Sequence, residues 1–231
     1  MKRILFSLAL SAALFSGCDL LDTAGITEKE IVDGLKEALR IGSENSAASA
    51  HKTDGYFGNS LIKIPFPKEA QKVADVVSVI PGGNTYISNV VLSLNRAAED
   101  AAIEAKPIFV DAIMALTIDK GLEILQGDSV AATNYLQSTT RSPLKDKFLP
   151  KIKASLDKVN ATKFWADIMG VYNNIPLVQP INADLPDYAT NKALDGLFVL
   201  VGQEESKIRR DPAARVTDIL KKVFTEENMG K

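Results

Sequence analysis

Apolar side chains recur at helical spacing along most of this chain, and the stretches that break the period carry proline, glycine and asparagine. Thr27-Glu28-Lys29-Glu30 has the spacing of a capping box, in which a hydroxyl and a carboxylate three residues apart each satisfy a free N–H at a helix start. Ile31, Leu35, Ala38, Leu39 and Gly42 follow on one face. Residues 42–59 are rich in Ser, Ala, Gly and Asn, lack an apolar period, and are predicted to form a mobile loop that contains His51. A second helix is predicted from Pro67, whose missing N–H suits a first turn, with Val73, Val76, Val77 and Ile80 inward and Pro81-Gly82-Gly83-Asn84 as its stop.

The third predicted helix, residues 85–106, places Ile87, Val90, Val91, Leu94, Ala97, Ala98, Ala101, Ala102 and Ala105 in one arc. Alanine lets a neighbouring backbone come close, so this helix is expected at the centre of a bundle. Pro107 is expected to restart the chain as a further helix through Ile108, Phe109, Ala112, Ile113 and Leu116, with Ile118, Leu122 and Leu125 continuing up to Gly127. More helices are predicted over 130–137, over 144–159 with a break at Pro150, and over 162–172. Pro176, Pro180 and Pro186 with Asn182 and Asp184 mark an irregular connection over 173–188. The last helices read as 189–210 and 212–224. Leu197-Phe198-Val199-Leu200-Val201 is the one run with strand character, but Leu194 and Ile208 carry the helical period past both its ends. The expected fold class is all-α, a single compact multi-helix bundle over residues 27–231.

The first 26 residues follow another rule. Met1-Lys2-Arg3 is positive and residues 4–17 carry no charge, the n- and h-regions of a signal peptide over residues 1–17. As a helix that uncharged stretch reaches only about 21 Å, against about 30 Å of hydrocarbon, so it is too short to span. It ends Leu14-Phe15-Ser16-Gly17-Cys18, which resembles the lipobox of bacterial lipoproteins, where small residues precede a cysteine that is acylated and becomes the mature N-terminus. Phe15 stands where that pattern usually has Leu. Residues 18–26 are then the lipidated Cys18 and a short tether, the eight residues after the cysteine reaching at most about 26 Å. Cleavage takes Lys2 and Arg3 from the 27 bases and leaves 25 against 29 acids, a net charge of −4. Acyl chains rather than a basic patch must therefore hold the protein at a membrane. Asp19 resembles an inner-membrane retention signal of enteric bacteria, a rule other bacteria do not share, so inner and outer membrane both stay open.

Composition then narrows the chemistry. The chain is 46% hydrophobic and 24% charged, the balance of a folded protein, and its acid–base balance offers no broad basic surface for nucleic acid. One cysteine excludes an intrachain disulfide, and one histidine excludes multi-histidine metal cages. No G-x-S-x-G, G-x-G-x-x-G or P-loop occurs. Ser-x-x-Lys, as at Ser60, Ser142 and Ser155, is a weak motif that a chain rich in both residues supplies by chance, and its companion S-D-N and K-T-G motifs are absent. No cofactor and no metal are expected.

Several blocks resemble a known family. Leu94-Asn95-Arg96-Ala97-Ala98-Glu99, Lys106-Pro107-Ile108-Phe109, Ala131-Ala132-Thr133 and Phe148-Leu149-Pro150 come first; Ala193-Leu194-Asp195-Gly196-Leu197-Phe198, Glu204-Glu205, Ile208-Arg209, Asp211-Pro212-Ala213-Ala214-Arg215 and Leu220-Lys221-Lys222-Val223-Phe224 follow. Together they are similar to a bacterial envelope family catalogued as domain of unknown function 4197. The resemblance implies an envelope protein, commonly a lipoprotein, and implies no activity.

Glu205 is the most informative candidate. With Leu194 at 0° and about 100° per residue, it falls at about +20°, inside the stripe of Leu197, Phe198, Val201 and Ile208. Buried and ionised it needs a partner, and Arg209, one turn on, is placed to give one. The pair reads either as a structural buried ion pair or as an acid facing a ligand pocket. Asp195 is about 15 Å away along the same helix, too far to form a glycosidase carboxylate pair with Glu205. Asp195, Glu204, Asn95, Arg96 and Glu99 are weaker candidates. Glu99 points about 180° from Val90, so Asn95, Arg96 and Glu99 are expected as a solvated surface trio. The expected function is that of a membrane-anchored envelope lipoprotein facing the periplasm, a non-enzymatic helical domain engaging an envelope protein or an apolar ligand and no nucleic acid. The alternative is a metal-independent envelope hydrolase or lyase built on carboxylates.

Overall fold

Thr27 opens the first helix as its spacing requires: its hydroxyl accepts from the Glu30 N–H at 3.3 Å, and the Glu30 carboxylate accepts from the Thr27 N–H at 3.0 Å. In the computed structural model of the protein, which describes residues 25–178 and 184–230, α1 then runs Glu28–Ala50. Cys18, the leader and the tether to residue 24 lie outside the described residues, as do residues 179–183 of the expected connection.

The remaining elements are α2 (Gln71–Ser78), α3 (Gly83–Ala115), α4 (Gly121–Leu125), α5 (Ala131–Lys158), α6 (Ala161–Asn173), α7 (Leu185–Arg210) and α8 (Asp218–Val223). Short 3₁₀ turns at Lys68–Ala70 and Pro212–Ala214 lead into α2 and α8. The fold is all-α, with no strand among the described residues, and 197–201 is helix as the period demands. α3 is the hub, packed against α1, α2, α5, α6 and α7, while α1 and α5 both also flank α7. The alanine arc makes this possible: Ala97, Ala98, Ala101, Ala102 and Ala105 are all buried, and beyond them Phe109 stacks tilted on Phe198 of α7 at 5.2 Å.

Several boundaries differ from the sequence expectation, the last of them the expected helix 212–224, of which only Asp218–Val223 is α-helix. Residues 42–50 are not loop but the last turns of α1, where Gly42, Ser43, Ser46, Ala47 and Ala50 face inward. Their small size is what lets α1 approach its neighbours: a Cβ on Gly42 would stand 3.4 Å from Glu204 Cβ, and one on Gly34 would stand 2.6 Å from a Val223 methyl. α3 passes through Pro107, and α5 through both Pro143 and Pro150, without breaking. Each proline costs about 3 kcal/mol in a helix interior. All three lie on exposed faces, where water can serve the carbonyl that loses its bond, and buried residues on either side hold the helix together. α7 starts four residues earlier than its period suggests, because Asp184 caps it by accepting from the Asp187 N–H at 2.9 Å and Pro186 suits the first turn.

Lys222 of α8 reaches Glu30 at 2.7 Å and ties α8 to α1. That ammonium, followed by the Thr27 N–H, holds the Glu30 carboxyl down to about 2. A depressed carboxyl stabilises the fold fully above its ordinary value of 4.5 and loses that contribution as pH falls toward 2. In Lys222→Ala, an NMR titration of the Glu30 carboxyl is expected to move up toward the ordinary value, and the acid limb of unfolding to lose part of its steepness between about pH 4.5 and 2.

Candidate functional site

The α7 stripe buries Glu205 completely and leaves Arg209 3% exposed. One carboxylate oxygen accepts from Arg209 Nε at 2.8 Å and from the Ala132 N–H at 3.0 Å; the other accepts from the Thr133 N–H and the Thr133 hydroxyl, both at 2.7 Å. Ala132 and Thr133 lie in the first turn of α5, whose N-cap, Val130, has no side chain that can accept. Glu205 therefore caps α5 from a neighbouring helix, where the free N–H groups and the positive end of the helix dipole favour an anion. Arg209 does the converse at α4, donating to the carbonyls of Leu125 at 2.6 Å and Ile124 at 3.0 Å, with Phe224 beside its guanidinium. Arg215 in turn donates to the carbonyls of Ile208 and Arg209 at the end of α7.

All four acceptor positions of Glu205 are filled from within the protein, and neither Glu205 nor Arg209 lines any of four surface clefts of about 410 to 460 Å³ formed by the described residues. Asp195 is elsewhere: half exposed, it pairs with Arg141 at 2.6 Å and borders the α5–α7 cleft with Asn134, Gln137 and Gln203. Glu204 accepts from Asn45 of α1 at 2.7 Å and borders a cleft with Lys207 and Asp211.

The expected solvated trio on α3 is the clearest correction. Asn95 and Glu99 are buried, because residues 51–66 cross over the face that the helical wheel assigns to water. Asn95 accepts from the Ile64 N–H and donates to the Ile64 carbonyl, both at 2.8 Å, pairing with that backbone as a strand would. One turn on, Glu99 accepts from the N–H groups of Tyr56 and Phe57 at 3.1 and 3.0 Å and from Arg96 at 2.6 Å, and Arg96 continues to Asp54. Tyr56 drives its ring onto Gly196, where a Cβ would come within 2.7 Å, and donates its hydroxyl to the Ala193 carbonyl. Burial, with Asp195 and Glu99 adding to it, pushes that phenol well above its ordinary value. His51 is not adrift either: Nδ1 lies 2.8 Å from the Glu99 carbonyl, at the mouth of a cleft shared with Asn89, Asp100 and Phe164. The missed signal was Tyr56, Ile62, Ile64 and Phe66, apolar residues without a period that need a surface to cover.

No group of three His, Cys, Asp or Glu side chains suited to a metal ion occurs among the described residues. A family model described as "Protein of unknown function (DUF4197)" matches residues 25–225, and the chain belongs to that family. No curated protein and no solved structure matches it.

Two substitutions separate the clamps. Glu205→Gln places an amide N–H₂ where donors already point and leaves Arg209 without its counter-charge; a loss of about 3–5 kcal/mol is expected in guanidinium unfolding. Glu99→Gln is expected to cost about 1–3 kcal/mol. Its signature is local, faster hydrogen exchange at the Tyr56 and Phe57 amides with the α4–α5 amides unchanged.

Proposed function

We propose that this member of the DUF4197 family is a lipid-anchored domain of the bacterial cell envelope that works by binding and not by catalysis, facing the periplasm and engaging an envelope protein or an apolar ligand. The observation that carries the binding reading is the engagement of the two buried acids. Glu205 and Glu99 are the groups whose burial suits an acid–base role, and backbone N–H donors and arginines hold both of them. A general acid needs access to a substrate, and every acceptor position of Glu205 is taken from within the protein. That arrangement speaks against a carboxylate-based hydrolase or lyase built on Glu205.

The anchor reading is supported by the positive start, the short uncharged stretch and the small residues before the chain's only thiol, Cys18. No helix among the described residues is long and apolar enough to cross a membrane. The described domain begins close behind the cysteine, so acyl chains on Cys18 would hold it near the bilayer.

Mass spectrometry of the protein recovered from bacterial membranes tests the anchor. The expected product begins at an acylated Cys18, and Cys18→Ser is expected to remain unprocessed or to leave the lipid-modified fraction. An unmodified thiol on an intact full-length chain overturns this reading.

A further inference from the structure

α3 and α5 run antiparallel, and their seam is laced by acid–lysine pairs. Asp100 binds Lys158 and also accepts from Ser155 at 2.8 Å; Glu104 binds Lys151 at 2.9 Å. Eleven residues beyond Asp100 on α3 stands Asp111, and eleven residues before Lys158 on α5 stands Lys147. Eleven residues make three turns to within about 20°, so this third acid and third lysine share the face and the register of the first two. Yet Asp111 and Lys147 do not meet, and neither has an ion-pair partner among the described residues. Between them the seam opens into a cleft of about 410 Å³ with Ile108, Ala112, Leu116 and Leu144 in its wall.

The other polar side chains of the cleft are largely engaged. The Tyr135 hydroxyl donates to the Thr117 carbonyl at 2.5 Å, Thr139 donates back to the Tyr135 carbonyl at 2.7 Å, and Thr140 donates to the Leu136 carbonyl at 2.5 Å. What the cleft offers a ligand is an apolar trough with one exposed carboxylate and one exposed ammonium at its rim. A volume of about 410 Å³ lies at the small end of ligand sites, which suits one hydrocarbon chain. The cleft also sits toward the tether: it ends at Leu116, and Lys36 in the first half of α1 donates to the Met114 carbonyl at 3.1 Å. From Gly25 back to Cys18 the chain reaches at most about 25 Å.

We propose that the α3–α5 cleft binds a single acyl chain carrying a zwitterionic head group, with the cationic part of the head against Asp111 and the anionic part against Lys147. The ligand completes the third rung of the ladder that the protein leaves open. This inference rests on the binding reading above and supplies its ligand class.

The test is calorimetric titration of the full chain carrying Cys18→Ser, so that acylation plays no part, with three amphiphiles below their micelle concentrations. These are dodecylphosphocholine (zwitterionic), laurate (anionic) and dodecyl maltoside (neutral). Any binding to the leader is common to every variant and cancels in the comparison. Dodecylphosphocholine is expected to bind about tenfold tighter than the other two, a difference of about 1.4 kcal/mol. Lys147→Glu and Asp111→Lys are each expected to lose about that factor, and the double exchange D111K/K147E to regain it, since the head group can turn round. Both are surface changes, so the folded state, checked by circular dichroism, survives them. Ala112→Phe, which fills the trough, is expected to abolish binding. Absence of saturable binding, equal binding of all three amphiphiles with no response to the charge variants, or tightest binding of laurate overturns the proposal. A negative result here leaves the Cys18 anchor untouched, and an unmodified Cys18 leaves a positive result here untouched.

Discussion

A carboxylate with no exposed surface, set in the middle of an apolar stripe, stands only because four donors meet it. Removing such a charge from water costs several kcal/mol, and a single arginine seldom repays that. Glu205 adds two backbone N–H groups and a hydroxyl from the opening turn of α5, so its charge is met by the positive end of a helix as well as by Arg209. Arg209 carries the same logic to the carbonyl end of α4. One i,i+4 pair on α7 thus serves two helix termini, the start of α5, which has no side-chain cap, and the end of α4, and it ties both to α7. The opening turn of α5 is held by this contact.

The same device recurs on α3. Asn95 and Glu99 hold the segment over residues 51–66 by its backbone, and Tyr56 locks that segment to α7 through Gly196 and Ala193. Turns within the segment satisfy the amides of Gly55, Gly58, Asn59, Ile62 and Lys63, and those of Tyr56, Phe57 and Ile64 are left to side chains on α3. Both buried acids therefore hold neighbouring segments in place through their backbone. Both take backbone N–H donors from a neighbouring segment, and each adds an arginine of its own helix.

The helical class, the capping box at Thr27, the alanine-lined centre and the burial of Glu205 beside Arg209 were all legible from the 3.6 period, because each is a property of one helix viewed alone. The continuous α3 and α5 were not, since a proline weakens a helix locally while the decision to continue is taken by tertiary packing on the other face, at residues such as Phe109 and Phe148. The end of α1 was hidden for a related reason: serine and alanine read as loop composition, yet small size is what a close helix approach selects at Gly42, Ser46 and Ala47. Glu99 was placed in water by a wheel that knows nothing of a crossing loop. Of the donors to Glu205 only Arg209 was within reach; Thr133 adds a hydroxyl from a distant helix, and the Ala132 and Thr133 backbone N–H groups leave no trace in composition or spacing.

Once the engaged polar groups are set aside, the chemistry left to this domain is narrow. The buried acids are clamped, the phenol of Tyr56 is tied to a carbonyl, and the exposed charges along the α3–α5 seam neutralise one another until Asp111 and Lys147. A departure from an otherwise regular ladder is more informative than a cleft taken by itself, because the neighbouring rungs show what the same two helices do when nothing intervenes. The opening coincides with short side chains on α3, Ala112 and Ala115, and with Pro143 on α5, which has no N–H to give the Thr139 carbonyl its usual bond. The short side chains of Ala112 and Ala115 leave the space between the two helices unfilled, and Asp111 and Lys147 line it without meeting. The cleft thus joins an apolar wall to one exposed carboxylate and one exposed ammonium on opposite helices.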